Sequence, residues 1–162
     1  TTIEHGTKMS EQTMDLMMQY GTYLVPTITA GKAVADNAKI KGFYPEIIVP
    51  KALEIGPKIQ NTFAKAYEHG VKIAFGTDAG VFPHGLNAKE FGYMVEVGMP
   101  PMKALQSATT TNATVLGLAD ELGQLKEGYL ADIVATNEDP IENISTLENV
   151  VFVMKEGVVY KN

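Results

Sequence analysis

Neither cysteine nor arginine occurs in this 162-residue chain, and each absence removes a class of chemistry. Without cysteine there is no disulfide framework and no thiolate metal site, so any bound metal must be held by His, Asp or Glu. The redox compartment stays open for the same reason. All thirteen basic residues are lysines and the formal net charge is -6. No guanidinium is present to fork onto phosphates or guanine edges, and nucleic acid is not expected as a partner. No apolar run reaches the roughly 20 residues that span a bilayer, and no basic-then-apolar signal pattern opens the chain, so no membrane partner is expected either. A Gly-x-Gly-x-x-Gly or P-loop pattern is missing, which leaves nucleotide cofactors no foothold. No Ser or Thr sits in a nucleophile-elbow context.

The composition that remains is globular. Hydrophobic residues make up 45% of the chain, enough for one compact domain, or one with a small appendage. The chain opens on "TTIEHGT", in the middle of what reads as a strand and without an initiator Met, as expected for a piece of a longer protein. Any signal peptide would precede Thr1, so the residues assign no localisation.

Elements alternate along the chain as parallel strands with helical crossovers would. A short strand ends at His5, Ser10 caps a helix in which Met14, Met17 and Met18 recur, and Gly21 stops it. "TYLVPTI", residues 22 to 28, reads as the next strand, finishing near Pro26. Residues 29 to 49 read as a long polar connection, of a length that often carries function. Pro57 is a plausible first helical residue, with Ile59, Phe63, Ala66 and Tyr67 on one face and Gly70 as terminator. The apolar run Ile73 to Phe75 comes next as a strand, and Asn87 with Glu90 resembles a capping box for a helix buried through Phe91, Met94 and Val95. Pro101 opens a further helix with Met102, Leu105, Ala108 and Leu116 expected inward. These β-then-α units place the chain in the α/β class. From about residue 118 the pattern becomes short strands and glycine turns: Leu130 to Ala135, then two strands joined at Lys155 to Gly157. That end piece is too short to be a domain alone.

Two residues stand where parallel sheets gather their ligands, at the carboxyl ends of strands. His5 offers a nitrogen lone pair and Asp78 a carboxylate that could bind the same divalent centre while accepting a proton from bound water. Each also has a plainer reading: His5 as a hydrogen-bonded strand-end residue, Asp78 as a turn or capping residue. His84, between Pro83 and Gly85, can be a simple loop histidine, and His69 in the last turn of a helix suits the dipole there without any catalytic part. The acidic stretch "NEDPIEN", residues 137 to 143, reads as a solvated turn.

The motifs "IEHGT", "GTYLVPT", "GVKIAFGTDAGVFPHG", "GMPPMKALQSATTTNATVLGL" and "LGQLKEGYLADIVATNEDPIENI" occur in an order that resembles the C-terminal part of metal-dependent amidohydrolases. The resemblance covers essentially the whole chain and lies with the imidazolonepropionase-like branch, which includes Xaa-Pro dipeptidases. It implies a (β/α)8 TIM barrel beside a small β-sandwich, with residues 1–118 supplying strands 6 to 8 and their helices and residues 119–162 the C-terminal share of the sandwich. Residues 1 to 5 would be the sixth strand, 22 to 28 the seventh and 72 to 78 the eighth. The resemblance makes His5 a metal ligand, Asp78 both a metal ligand and the proton shuttle of the nucleophilic water, and His84 a substrate-proximal residue.

The same resemblance implies a hydrolase that cleaves a C–N bond, in a dipeptide or N-acyl amino acid, with one or two divalent ions such as zinc; His and carboxylate donors suit Zn, Mn, Fe or Co. A cyclic amide of imidazolone type is the alternative substrate. A whole barrel needs about 250 residues, and the ligands of its first, fourth and fifth strands have no counterpart here. The expectation is therefore an incomplete fragment, inactive alone, whose partner is the missing N-terminal part of the barrel. Two other readings stand beside it: a binding or regulatory module that lost catalysis, and a fragment that completes its sheet with another copy, a homo-oligomer.

Overall fold

The computed structural model describes residues 2–162. Thr1, the first residue of the expected opening strand, lies outside the described residues.

The first strand, β1 (Thr2–Glu4), is followed by helix α1 (Glu11–Tyr20). Ser10 caps α1 as its sequence position implies: the Thr13 N–H donates to Ser10 Oγ at 3.3 Å. Gly21 ends it in the left-handed region that glycine enters without steric cost, and its N–H returns to the carbonyls of Met17 and Met18. Met14 and Met17 form the buried face, whereas Met18 is 50% exposed and lies across Gly70 instead of entering the core.

Strand β2 (Tyr23–Val25) then runs parallel to β1, Ile3 opposite Leu24. Strand β3 (Lys72–Ile73) pairs with the other side of β2, Leu24 opposite Ile73, giving a parallel sheet of order β1-β2-β3. The row Ile3, Leu24, Ile73 faces a core that also holds Met14, Met17, Phe63, Ala66 and Met94. Leu24 and Phe63 are essentially removed from water, each contributing about 1.5–3 kcal/mol of hydrophobic stabilisation.

The connection from β2 to β3 departs from the sequence expectation. Residues 29 to 49 are not a long irregular passage: α2 (Ile28–Ala38) occupies the first half, and α3 (Val49–His69) starts well before Pro57. The proline near the first turn of α3 is Pro50, and Pro57 stands inside the helix, where it removes one helical hydrogen bond. Glycines that read as breakers are contact points. A Cβ on Gly31 of α2 would lie 2.5 Å from Ile59 Cγ2, and one on Gly56 of α3 would lie 3.1 Å from both Ala35 Cβ and the Gly31 carbonyl oxygen. Removing those side chains lets α2 and α3 pack backbone to backbone, which no local periodicity announces.

Beyond β3 come α4 (Lys89–Glu96), α5 (Pro101–Gln106), a π-helical turn Ser107–Thr111 and α6 (Asn112–Val115). The π turn widens the helix and shifts the phase of its buried face. Ala104, Ser107 and Ala113 are buried, while Met102 and Leu116, expected inward on an unbroken helical period, are 50% and 68% exposed.

The last part is a separate antiparallel sheet, β4 (Ile133–Ala135), β5 (Phe152–Lys155) and β6 (Val158–Lys161), in that order. The β5–β6 hairpin turns at Glu156 and Gly157, both at positive φ, as a tight right-twisted hairpin requires. Between β4 and β5 a 3-10 turn (Ile144–Asn149) is capped by Asn143, whose Oδ1 accepts from the Ser145 N–H at 3.2 Å. The acidic stretch before it is an exposed turn in which the Ile141 N–H donates to Asp139 Oδ1 at 2.8 Å. Among the described residues no helix is long and apolar enough to cross a membrane.

Candidate active site

All three strands of the parallel sheet point their carboxyl ends to one edge, and the chain leaves that edge in an unusual backbone state. His5, Thr27 and Asp78, one after each strand, have φ of 64°, 51° and 54°. Positive φ costs a non-glycine residue about 1–3 kcal/mol and is least tolerated by a β-branched one such as Thr. Such strain persists only where neighbouring contacts over-determine the conformation, and they do so here.

His5 is held first. Its N–H donates to the Val25 carbonyl at 2.9 Å, continuing the β1–β2 ladder past the last strand residue. Its imidazole Nδ1 lies 2.7 Å from Thr27 Oγ1, while the side chain stays open to solvent. Thr27 stands at the N-cap position of α2, yet its hydroxyl does not cap that helix. The capping role falls to Glu90 of α4. Glu90 Oε1 accepts from the Ile28 N–H at 2.8 Å, and Oε2 accepts from the Thr29 N–H at 2.7 Å and the Thr29 hydroxyl at 2.6 Å. The carboxyl is fully buried. Burial raises its pKa above the ordinary 4.5, against the opposing pull of the Thr29 hydroxyl and the two N–H groups.

Asp78 is set by three supports on the backbone before and after it. Gly76 sits where any Cβ would run into Val25 Cγ1, so the strand end can close on β2. Two residues earlier than Thr77, Phe75 is gripped at both backbone atoms by Asn112 of α6, whose Nδ2 donates to Phe75 O at 2.9 Å and whose Oδ1 accepts from its N–H at 3.1 Å. The same N–H also reaches the carbonyl of Ser107, in the π turn, at 3.2 Å. Asn87 then ties the loop together: Nδ2 donates to Thr77 Oγ1 at 3.0 Å, and Oδ1 accepts from the Gly85 N–H at 3.1 Å. Thr77 and Gly85 are the neighbours of Asp78 and His84. Both of those residues are exposed to solvent.

The expected capping box at Asn87 and Glu90 is therefore replaced by two longer-range roles. The N-cap of α4 is Ala88, without a side-chain cap. Asn87 clamps the loop and Glu90 serves a different helix.

His5 and Asp78 are thus brought to the same edge of one sheet, flanking β2. His84 shares the loop after Asp78. No hydrogen bond or ion pair joins the three to one another among the described residues, and no group of three or more His, Asp or Glu side chains comes together to hold a metal there. His69 is elsewhere, at the end of α3, where Nε2 lies 2.7 Å from Asp15 Oδ1 of α1. Sequence reasoning passed over Thr27, Glu90, Asn87 and Asn112 as parts of the site; only their tertiary partners single them out.

The Amidohydrolase family model matches residues 1–160. The chain belongs to the amidohydrolase family. Its α/β fold is that of a Xaa-Pro dipeptidase with methionine bound in the active site, to which it is 58% identical, with a TM-score of 0.96 over 99% of this chain and 40% of that one. A prolidase complexed with N-methylphosphonate-L-proline matches with 30% identity and a TM-score of 0.87, over 99% of this chain and 40% of that one. Ochratoxinase from Aspergillus niger is 32% identical over 98% of this amidohydrolase chain. The chain spans 33% of the length of that curated relative.

Proposed function

We propose that the chain is part of a metal-dependent hydrolase that cleaves an amide or peptide C–N bond in a dipeptide or N-acyl amino acid. Catalysis in this reading belongs to the complete protein. The observation that carries it is the placement of His5 and Asp78 at the carboxyl edge of one parallel sheet in an amidohydrolase chain. Relatives described as Xaa-Pro dipeptidase and prolidase support the substrate class.

In this proposal residues 1–118 are strands 6 to 8 of a (β/α)8 barrel with their helices, and residues 119–162 are the C-terminal share of a composite β-sandwich. The outer edges of β1 and β3 would pair with the strands that complete the barrel. A fragment lacking them would cover those edges by self-association, as a homo-oligomer.

The residues fit a divalent cation such as zinc. His5 keeps Nδ1 engaged by Thr27 and Nε2 without a partner among the described residues, the arrangement of a ligating imidazole with a supporting hydrogen bond. Asp78 is a solvent-accessible carboxylate on a braced loop. When bound, the cation supplies a water of lowered pKa and polarises the scissile carbonyl. His5 would hold it through Nε2 and Asp78 through a carboxylate oxygen. Asp78 would accept a proton from the attacking water and return it to the leaving nitrogen, a transfer whose geometry the Asn87 and Asn112 clamps fix. His84 would lie beside the substrate. Two ligands fall short of the three protein ligands a catalytic zinc usually takes, so the fragment alone would be inactive.

The test is hydrolysis of a panel of Xaa-Pro and other dipeptides by the complete, zinc-loaded protein and by its Asp78→Asn variant. Turnover by the wild type that the variant loses supports the reading. Unchanged turnover in the variant rejects it.

A further inference from the structure

A helix normally spends its N-cap hydroxyl on its own first N–H groups. In α2 the hydroxyl of Thr27 is directed instead to the imidazole of His5, and the freed N–H groups of Ile28 and Thr29 are taken by a carboxylate 62 and 61 residues away in sequence. Both exchanges of partner are needed together. Were Glu90 absent, the N–H of Thr29 would be a buried donor seeking an acceptor. The Thr27 hydroxyl two residues earlier is an oxygen the first turn could recruit once the left-handed backbone at Thr27 relaxed to the extended state of a capping residue. Rotation of that hydroxyl toward the helix would release His5 Nδ1.

We propose that Glu90 is a positioning residue for His5: by capping α2 from α4 it reserves the Thr27 hydroxyl for orienting the imidazole. The proposal rests on the reading of His5 as a metal ligand. Glu90 touches neither His5 nor a bound cation; it acts through Ile28, Thr29 and Thr27. The fully buried carboxylate has three donors and, among the described residues, no cationic partner, so no ion pair there explains its presence. An apolar residue would fill the same core space without desolvating a charge but would leave the Ile28 and Thr29 N–H groups without this acceptor, whereas a serine or aspartate N-cap would serve α2 locally. Capping from α4 satisfies the first turn of α2 and leaves the Thr27 hydroxyl to His5.

The experiment is a double-mutant cycle in the complete protein, reading zinc affinity at 25 °C by chelator competition, with folding checked by circular dichroism and thermal melts. Glu90→Gln keeps the shape and one acceptor but loses the second. It should weaken zinc binding by on the order of 10-fold or more, the usual loss for a supporting partner of a ligating histidine, and Thr27→Val should do the same. Because the two act through one hydrogen bond, the double variant should bind about as weakly as Thr27→Val alone. Should Glu90→Gln fail to fold, Glu90→Asp, which draws the carboxylate back from the Ile28 and Thr29 N–H groups, enters the same cycle. Wild-type zinc affinity in a folded Glu90→Gln protein, or losses that simply multiply in the double variant, would overturn the proposal. His5→Ala is measured alongside. If it loses zinc while Glu90→Gln does not, the positioning role fails and the ligand reading survives; if it binds zinc as the wild type does, both fall.

Discussion

Asn112 holds Phe75 by both of its backbone polar atoms, donating to the carbonyl at 2.9 Å and accepting from the N–H at 3.1 Å. A side-chain amide carries a donor and an acceptor side by side, as a strand backbone does. It therefore stands in for a ladder partner at the point where β3 leaves the sheet and turns toward Asp78.

Asn112→Leu removes both bonds while keeping the bulk. Phe75 O then has no partner from α6, and its N–H retains only Ser107 O. The expected cost is about 1 kcal/mol, toward the low end of the penalty for orphaning a buried polar group because the pair is only partly buried, measured as a shift in the urea midpoint. If the complete protein hydrolyses dipeptides as proposed, its kcat should fall more than the stability loss alone implies, because the loop bearing Asp78 loses its anchor.

Asp78→Asn tests chemistry with minimal change of shape. The amide cannot accept the proton of an attacking water, so kcat/KM should drop by about 10²- to 10⁴-fold or more. Metal content, read by elemental analysis, should fall much less than in His5→Ala, which on the proposed reading removes a ligand. Wild-type turnover in either variant would sink the assignment.

Gly31→Ala gives a test of opposite sign to intuition. Alanine favours a helix over glycine by roughly 0.5–1 kcal/mol, so helix propensity alone predicts stabilisation of α2. The contact with Ile59 predicts the reverse, a loss of about 1–3 kcal/mol from overpacking. Ile59→Ala should relieve most of that loss in the double variant, as denaturant melts would reveal.

Glu90 also leaves a mark on stability against pH. Burial raises its pKa in the folded protein above the ordinary 4.5, and no charged group is among the causes. The folded state thus binds the proton more tightly than the unfolded one. Its contribution is fully present below the ordinary carboxylate pKa and is lost as pH rises through the raised value. The melting temperature of the wild type relative to Glu90→Gln should accordingly decline on going from about pH 4 upward, by the order of a degree or more. A flat difference across that range would contradict the burial-driven shift.

Local chemistry made some elements legible. The Ser10 cap, the terminating Gly21 and Gly70, the β5–β6 turn and the apolar run into β3 each depend on residues within a few positions of one another, and the chain's own pattern announces them. The misreadings share one cause. Residues 29 to 49 look irregular because Gly31 disfavours a helix in isolation, and only the Ile59 side chain explains why it must be there. Pro57 looks like a beginning because the packing that carries α3 through it lies on another helix. Met102 and Leu116 are set inward by a period that the π turn interrupts.

The sequence by itself determined the family and the α/β class and named His5 and Asp78 as candidates, because ordered motifs are properties of neighbouring positions. The strand expected over 72 to 78 is shorter, ending at Ile73. Tertiary structure alone decided how those residues are held: Thr27 against His5, Glu90 on the start of α2, Asn112 and Asn87 around Asp78. Thr27 lies 22 residues from His5, and Glu90 lies 62 from Ile28. A hydrogen bond acts over about 3 Å, so its partners declare themselves only when folding brings them within that reach.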